Sequence, residues 1–460
     1  MLDYLVEHLA LVMFFVTVGL LFLGYPVAFT LGASGIAFGF LGWLAGEFKI
    51  VQFWSIMPRI YGAVIQNQVL VAVPMFIFMG LVLERSRVAE DLLHTLQILL
   101  RRVPGGLALA VTAMGTIMAA TTGIVGASVI MLTLIALPTM LERGYQKELA
   151  VGTIAASGTL GILIPPSIML VIMGDLVQVP VGTLFAGATL PGLLLSGLYL
   201  AYIAVLSTLR PNLAPPLPPE IGPSGAGELA LLVLKSLLPP SFLILLVLGS
   251  IFLGWATPTE AAGVGCAGAL LLAALNRRLD RATLAQVLDG AAATNALVFF
   301  IILGATVFAY VFRALGGDYL FADLLAASGI DTGWEILVFL MALVFILGFF
   351  FDFIEICLIV LPIFVPILQK IDFSDHVGLA TAFMPWVTIL VALNLQTSFL
   401  TPPFGFTLFY MRGTVPPEVT ILHIYRGIVP FVLLQLTGLA LCMLFPEIVL
   451  WLPRASGFLD

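Results

Sequence analysis

The sequence predicts an all-α integral membrane protein: a multi-helix, polytopic chain built as two inverted repeats. Of its 460 residues, 61% are hydrophobic and 9% are charged, and the mean hydropathy is +1.18. Soluble domains carry about 25% charged residues, so this chain has too little polar surface for a soluble fold. Many apolar runs reach the roughly 20 residues that a spanning helix needs. Two Pro-Pro pairs also interrupt apolar segments at similar places in the two halves.

A polar, proline-rich segment divides the chain near its midpoint. Residues 210–228 have the composition of an exposed, extended linker. We therefore predict a first repeat over residues 1–209 and a second over residues 229–460. Each repeat also contains one charged amphipathic stretch that is expected to form an interfacial helix, at residues 84–102 and 318–328.

The two Pro-Pro pairs predict one broken helix in each repeat. Residues 158–167 and 395–405 both place small and hydroxyl residues just before the prolines. Proline has no backbone N–H and cannot continue a helix. Within a membrane, irregular backbone is tolerated only where protein buries it or where it lines a cavity. Paired breaks of this kind indicate the binding site of a transporter.

A re-entrant hairpin is predicted before each broken helix. Residues 121–128 interrupt an apolar stretch with glycine and hydroxyl side chains, and residues 349–355 have the matching place in the second repeat. Positive charge favours the cytoplasmic face. The first hairpin is therefore expected to enter from the cytoplasm and the second from the opposite face, with these residues cytoplasmic: Arg101, Arg102, Arg277, Arg278 and Arg281.

Asp352 and Glu355 lie at the second hairpin tip. A carboxylate at membrane depth costs at least about 2.5 kcal/mol, which makes it a candidate functional group. We predict a cation or substrate role for Asp352, whereas Glu355 either shares that role or faces a local polar partner. Arg313 ends an apolar run, and it either pairs with a substrate carboxylate or extends towards water at the interface.

Hydroxyl and amide side chains precede both breaks. Their oxygens suit Na⁺, and the N-termini of half-helices suit an anion. The alternative is that each hydroxyl bonds the carbonyl one turn back in its own helix. The residues concerned are Ser157, Thr159, Ser167, Asn394, Thr397, Ser398 and Thr401.

No constellation of catalytic residues is visible in the sequence. Cys266, Cys357 and Cys442 occur singly in apolar segments, as buried cysteines do. The four histidines match no nucleophile or zinc motif. We predict that the protein is not an enzyme, that it holds no transition metal and no organic cofactor, and that it does not bind nucleic acid.

These motifs together resemble the large membrane subunit of tripartite ATP-independent periplasmic (TRAP) transporters. The resemblance extends over residues 74–430, so it covers most of the chain. It is carried by five segments, namely residues 122–128, 158–167, 256–262, 351–366 and 394–405.

The resemblance implies Na⁺-driven uptake of an organic acid by an elevator movement, in the bacterial cytoplasmic (inner) membrane. It also implies a periplasmic solute-binding protein and a small four-helix membrane subunit as partners. The hairpin tip here has Thr122-Gly123-Ile124 where many sugar-acid members have Ser-Gly-Ser. This departure favours a 2-oxo acid, a dicarboxylate or a related carboxylate over sialic acid.

Matching by motif gives two sets of candidate residues. For the substrate they are Thr122, Gly123, Ser128, Ser167, Arg313 and Asp352. For Na⁺ they are Thr121, Gly126, Gly158, Thr159, Asp352, Ser398, Thr401 and Phe404.

Two alternatives stay open at this point. The first is a stand-alone Na⁺/carboxylate symporter or Na⁺/H⁺ antiporter of a related inverted-repeat fold, which works without a binding protein. An intramembrane enzyme is the alternative from another class, and it lacks a visible nucleophile or metal site. A purely structural membrane scaffold has no use for Asp352 and two broken helices.

Overall fold

The computed structural model describes residues 8–122, 125–218, 222, 225–402 and 405–459. Within these ranges the regular structure is helical, without a strand. Seven helices are long and apolar enough to cross a membrane, and nine spans result if two bent helix pairs are each counted as one. The predicted all-α, multi-span fold is therefore confirmed.

The first half consists of eleven α-helices among the described residues. Short 3₁₀ turns, Val69–Val71 and Leu160–Ile162, and a π-helical turn, Tyr61–Ile65, connect some of them. The α-helices are α1 Leu9–Phe22, α2 Val27–Ala45, α3 Ile50–Trp54, α4 Ile56–Ile60, α5 Ala72–Arg85, α6 Val88–Leu99, α7 Gly106–Thr122, α8 Val125–Glu142, α9 Lys147–Thr159, α10 Ile168–Val177 and α11 Val181–Leu209.

The second half follows the same plan after a 3₁₀ turn, Pro211–Leu213. Its helices are α12 Ala226–Ser236, α13 Leu238–Phe252, α14 Pro258–Leu275, α15 Arg281–Ala314, α16 Gly317–Ala327, α17 Gly333–Leu347, α18 Phe353–Leu368, α19 Ser374–Val377, α20 Ala380–Leu400, α21 Phe406–Thr414, α22 Ile421–Leu444 and α23 Glu447–Ala455.

Each half contains a helical hairpin followed by a broken helix, as the sequence predicts. In the first half α7 and α8 form the hairpin, and α9 and α10 are the two parts of the broken helix. In the second half α17 and α18 form the hairpin, and α20 and α21 the broken helix. The amphipathic stretches are helical too, as α6 and α16. Helices α9, α20 and α22 pack against one another, and 94% of an 18-residue stretch of α20 is buried, so α20 has protein on almost every side.

Helices α2 and α15 form a second, separate packing unit through small residues. Gly35 faces Val307, and a Cβ on Gly35 would lie 2.9 Å from the Val307 Cγ1 atom. A Cβ on Gly304 would collide with the Ala28 carbonyl oxygen. Close backbone approach through glycine is a usual means of helix association in membranes. This unit borders the hairpin and broken-helix elements through contacts of α15 with α18.

The proline-rich segment is less exposed than expected. Ala214 is fully buried, and its carbonyl oxygen accepts a 2.9 Å hydrogen bond from the Gly105 N–H group. The Leu217 N–H group donates to the Arg101 carbonyl at 3.0 Å. Helix α12 also begins at Ala226, inside the predicted linker. The described part of this segment therefore packs on the start of the first hairpin, because its apolar side chains interrupt the prolines often enough to be buried.

Candidate functional site

The second break ends in converging backbone oxygens. Helix α20 stops at Leu400, and Gly405 precedes α21 with φ +34°. A Cβ on Gly405 would lie 2.9 Å from both the Phe399 and the Thr401 carbonyl oxygens, so a larger residue is strained here in conformation and in space. Helix termination leaves carbonyl groups without helical partners. These oxygens are the type of ligand that hard cations prefer.

The Thr401 hydroxyl lies at the same break, where it donates a 2.8 Å hydrogen bond to the Thr397 carbonyl. Ser398 donates in the same way to Leu395 at 2.8 Å. Both hydroxyl groups therefore bond a carbonyl about one turn back in their own helix, which was the alternative to cation binding in the sequence analysis. A hydroxyl oxygen that donates its proton keeps two lone pairs, so back-bonding leaves it able to bind a cation.

Asp352 and Glu355 form a capping box at the start of α18. The Asp352 carboxylate accepts a 2.8 Å hydrogen bond from the Phe353 N–H group, and the Glu355 carboxylate accepts one of 3.3 Å from the Asp352 N–H group. An acidic first turn also favours the helix dipole. Glu355 thus has the local polar partner that one interpretation expected, and Asp352 remains the acidic group at the hairpin tip.

The second broken helix contacts both hairpins, and it reaches the first through Tyr410 on α21. Its ring covers Gly126 at the start of α8, where a Cβ would lie 2.8 Å from the tyrosine Cε2 atom. The second hairpin tip contacts its own broken helix, since a Cβ on Gly348 would collide with the Ser398 side chain. Gly126 of the first hairpin and Gly348 of the second, four residues before Asp352, therefore both contact the second broken helix.

The first break is enclosed by protein. Ser167 is fully buried and its hydroxyl donates to the Ile162 carbonyl inside the break. Thr159 donates to the Ala156 carbonyl at 2.8 Å. Gly158 allows α8 to approach, because a Cβ there would lie 2.5 Å from the Val129 Cγ2 atom. Ser128 is buried at the start of α8.

A polar cluster joins the two broken helices at the centre of the protein. The Nε2 atoms of Gln396 and Gln435 each lie 3.4 Å from the Thr159 hydroxyl oxygen. Tyr199 packs edge-to-face on Phe431, with ring centres 5.4 Å apart, one helical turn before Gln435 on α22. All four side chains are at most 1% exposed. The Oε1 atoms of both glutamines and the Tyr199 hydroxyl find no hydrogen-bond partner among the described residues.

The spacing of these residues from the Pro-Pro pairs also marks the cluster, although the predicted motifs do not include it. Thr159 precedes Pro165 by six residues, and Gln396 precedes Pro402 by six. Tyr199 on α11 and Gln435 on α22 likewise follow those prolines by 34 and 33 residues. The cluster is therefore made of two pairs of residues at equivalent places in the two halves.

Arg313 does not join the hairpin tips. Its Nη2 atom donates a 3.0 Å hydrogen bond to the Pro362 carbonyl, and its Nε atom lies 3.8 Å from the Asp318 carboxylate. Pro362 follows Asp352 by ten residues in α18, which is about 15 Å along a helix. Gly123 and Phe404 lie outside the described residues, as do the side chains of Thr121 and Thr122.

No group of three or more His, Cys, Asp or Glu residues suited to a metal ion occurs in the described ranges. The three cysteines are all buried and unpaired. The site therefore consists of neutral oxygens, helix ends and the Asp352 carboxylate at the second hairpin tip. Discontinuous helices of this kind occur in membrane transporters.

Comparison with known proteins identifies the family. Residues 11–448 match the model of the tripartite ATP-independent periplasmic transporter, DctM component, and the chain belongs to this family. It is thus a multi-pass inner-membrane permease component of a secondary transporter and not an enzyme.

Curated relatives share between a quarter and a third of their residues with the chain. It is 27% identical to the C4-dicarboxylate TRAP transporter large permease protein DctM of Vibrio cholerae, with 96% of each chain covered. It is 29% identical to the ectoine/5-hydroxyectoine TRAP transporter large permease protein UehC of Ruegeria pomeroyi, over 96% of this chain and 98% of the relative. It is 27% identical to the sialic acid TRAP transporter large permease protein SiaM of Vibrio cholerae, over 95% and 96%.

Among solved structures, the YdaH transporter of Alcanivorax borkumensis has a similar fold. The TM-score is 0.58 at 15% identity, and 88% of each chain is covered. At this identity the similarity concerns the fold alone.

Proposed function

We propose that this chain is the large membrane subunit of a Na⁺-coupled uptake transporter for an organic acid anion, namely a 2-oxo acid, a dicarboxylate or a related carboxylate. The observation that carries the proposal is the second break, where the Phe399 and Thr401 carbonyls converge on Gly405. Na⁺ binds there and near Asp352, which orders the second hairpin. The relatives named for C4-dicarboxylates support an acidic substrate.

The anion binds between the hairpin tips, where Ser167 precedes α10 and the Tyr410 ring covers Gly126. Half-helix N-termini supply N–H groups for its carboxylate. Na⁺ at the second break offsets the charge of Asp352, so cation and anion favour each other's binding. The two hairpins and broken helices then slide as a body past the α2–α15 unit.

Two partners complete the proposed system. A small four-helix membrane subunit extends the scaffold, and a periplasmic solute-binding protein delivers the anion. The family is defined as one component of a tripartite transporter, which supports this assignment.

Uptake into proteoliposomes tests the proposal. The vesicles contain this chain and the proposed small four-helix membrane subunit, with an inward Na⁺ gradient and labelled succinate, 2-oxoglutarate or pyruvate. We expect uptake that requires both Na⁺ and the binding protein. Equal uptake in K⁺ would exclude Na⁺ coupling. Uptake with Na⁺ alone would instead identify a stand-alone symporter.

A further inference from the structure

A cavity of about 430 Å³ separates the hairpin and broken-helix elements from α15. One wall belongs to α15, with Thr306, Tyr310 and Arg313, and the opposite wall carries Asp175 of α10. Arg59 of α4 lies at its rim. Residues of α18, including Pro362, close its inner side.

Two arginines lie on the α15 side of the cavity, and Arg313 keeps N–H donors beyond the one that binds the Pro362 carbonyl. The Arg59 guanidinium lies over the Tyr310 ring, 4.4 Å from its centre, and it forms no ion pair with a described residue. Arg313 is three residues after Tyr310 and so shares its helix face. Its side chain is 48% exposed, and its Asp318 partner is 3.8 Å away. Two guanidinium groups therefore flank one tyrosine.

Asp175 gives the α10 wall a negative charge, so only the α15 side of the cavity is positively charged. Its carboxylate accepts a 2.6 Å hydrogen bond from the Asn67 amide and has no cationic partner among the described residues. An anion in the cavity is therefore attracted to the arginines on α4 and α15 and repelled from α10.

The position of the cavity follows from the length of α15. This helix begins at Arg281, beside the basic residues Arg277 and Arg278, and its 34 residues span about 51 Å. The hydrocarbon core is about 30 Å thick, so Arg313 lies at the face opposite the basic cluster. By the positive-inside rule that face is periplasmic. The cavity is therefore on the side from which an imported anion comes.

We propose that this cavity is an outer binding site for a carboxylate, which Arg59 and Arg313 hold across Tyr310 before the anion reaches the hairpin tips. The inference rests on the proposed uptake of organic anions and adds a site that the hairpin and break motifs do not contain. Clustered positive charge in a cleft raises the local concentration of an anion, and guanidinium groups bind carboxylates through paired hydrogen bonds. Arg59 and Arg313 thus bind the substrate as it enters from the periplasm, and they take no part in its coupling to Na⁺.

Thiol labelling tests the site without requiring transport. Thr306→Cys places a thiol on the α15 wall, and the native cysteines are all buried. The probes are the anionic sulfonatoethyl and the cationic trimethylammonioethyl methanethiosulfonates, applied outside proteoliposomes. After correction for their rates with a free thiol, we expect the anionic reagent to react about tenfold faster. We expect millimolar succinate to slow it.

Charge variants provide the controls. Arg59→Gln with Arg313→Gln should remove the preference for the anionic reagent, whereas Asp175→Asn should increase it. Arg278→Gln, in the cytoplasmic cluster, should change nothing. The outer site would be overturned if the ratio of anionic to cationic labelling rates is the same in the wild type and the Gln double variant. It would also be overturned if succinate does not slow the labelling.

Transport then separates this inference from the proposed function. In the Gln double variant the half-saturating concentration of loaded binding protein should increase about tenfold with a maximal rate within about twofold, and Lys at both positions should largely restore it. If the wild type transports carboxylates with Na⁺ and the double variant is unchanged, the outer site fails alone. If the wild type transports none, the proposed function fails, and the labelling still reports on the cavity.

Discussion

The first Pro-Pro break is enclosed on all sides, whereas the second is partly open. Every residue from 160 to 167 is buried, while Thr401 and Pro402 are half-exposed. The second break also has Gly405 at a positive φ, three residues after Pro402, where the first has Ile168. The first break is thus closed off by protein around the start of α10, whereas the second leaves its carbonyl oxygens open to the cation that we propose.

The hairpins differ in the same sense. The first hairpin packs on its broken helix through a glycine in the helix, Gly158, and the second through a glycine in the hairpin, Gly348. Only the second has a carboxylate at the start of its returning helix, Asp352. The charged group and the open break therefore belong to one half.

The largest effect is expected from Gly405→Ala. A Cβ would lie 2.9 Å from two carbonyl oxygens and would force a φ that alanine rarely adopts. We expect the half-saturating Na⁺ concentration for uptake to increase more than about tenfold, because strain of 1–3 kcal/mol would displace the ligands. Ile168→Val, at the equivalent place in the first break, should change the half-saturating Na⁺ concentration by less than about twofold. Equal effects of the two substitutions would remove the functional difference between the breaks.

Asp352→Asn should have the next largest effect. Asparagine is as good an N-cap as aspartate, so α18 should keep its start and the melting temperature should change little. The lost charge should raise the half-saturating Na⁺ concentration about tenfold. Tracer uptake over a Na⁺ series measures this. Unchanged Na⁺ affinity in a stable variant would contradict a role of Asp352 in Na⁺ binding.

Gln396→Leu tests the cluster between the two halves. The Gln396 Oε1 atom is buried without a partner, which costs free energy in the wild type. Among the described residues, the only hydrogen bond lost is the 3.4 Å one to Thr159, which keeps its bonds to Ala156 and Gln435. We therefore expect an equal or higher melting temperature together with weaker Na⁺ dependence of uptake. Gln435→Leu should behave alike. A large loss of stability in both variants would mean that the cluster is only structural.

The last comparison is between two serine substitutions, and it concerns stability rather than transport. Ser167→Ala leaves the Ile162 carbonyl in the first break without its donor, which should cost about 1–3 kcal/mol of unfolding free energy. Ser398→Ala removes a bond to Leu395, whose carbonyl lies within α20 and keeps its helical partner, so the cost should be at the low end of the roughly 0.5–1.5 kcal/mol that a hydrogen bond contributes. Denaturation in detergent measures both. The reverse order would contradict the structural role of the first break.

Part of the site follows from the sequence because its causes are local. Pro165 and Pro402 cannot continue a helix wherever they lie, and an acidic residue before α18 caps it in any context. The hairpin tips, the breaks and Asp352 are accordingly predictable. The exposure of residues 214–217 is not, since their burial depends on the neighbouring first hairpin.

The sequence by itself determined the membrane class, the helical hairpins, the two breaks and the carboxylate of Asp352, because composition and backbone chemistry act over a few residues. Only the tertiary structure decided that Gln396 and Gln435 meet Thr159 across 237 and 276 residues of chain. It also brought Arg59 to Tyr310. Such contacts depend on which helix faces adjoin after folding, and side-chain packing between distant segments sets those faces.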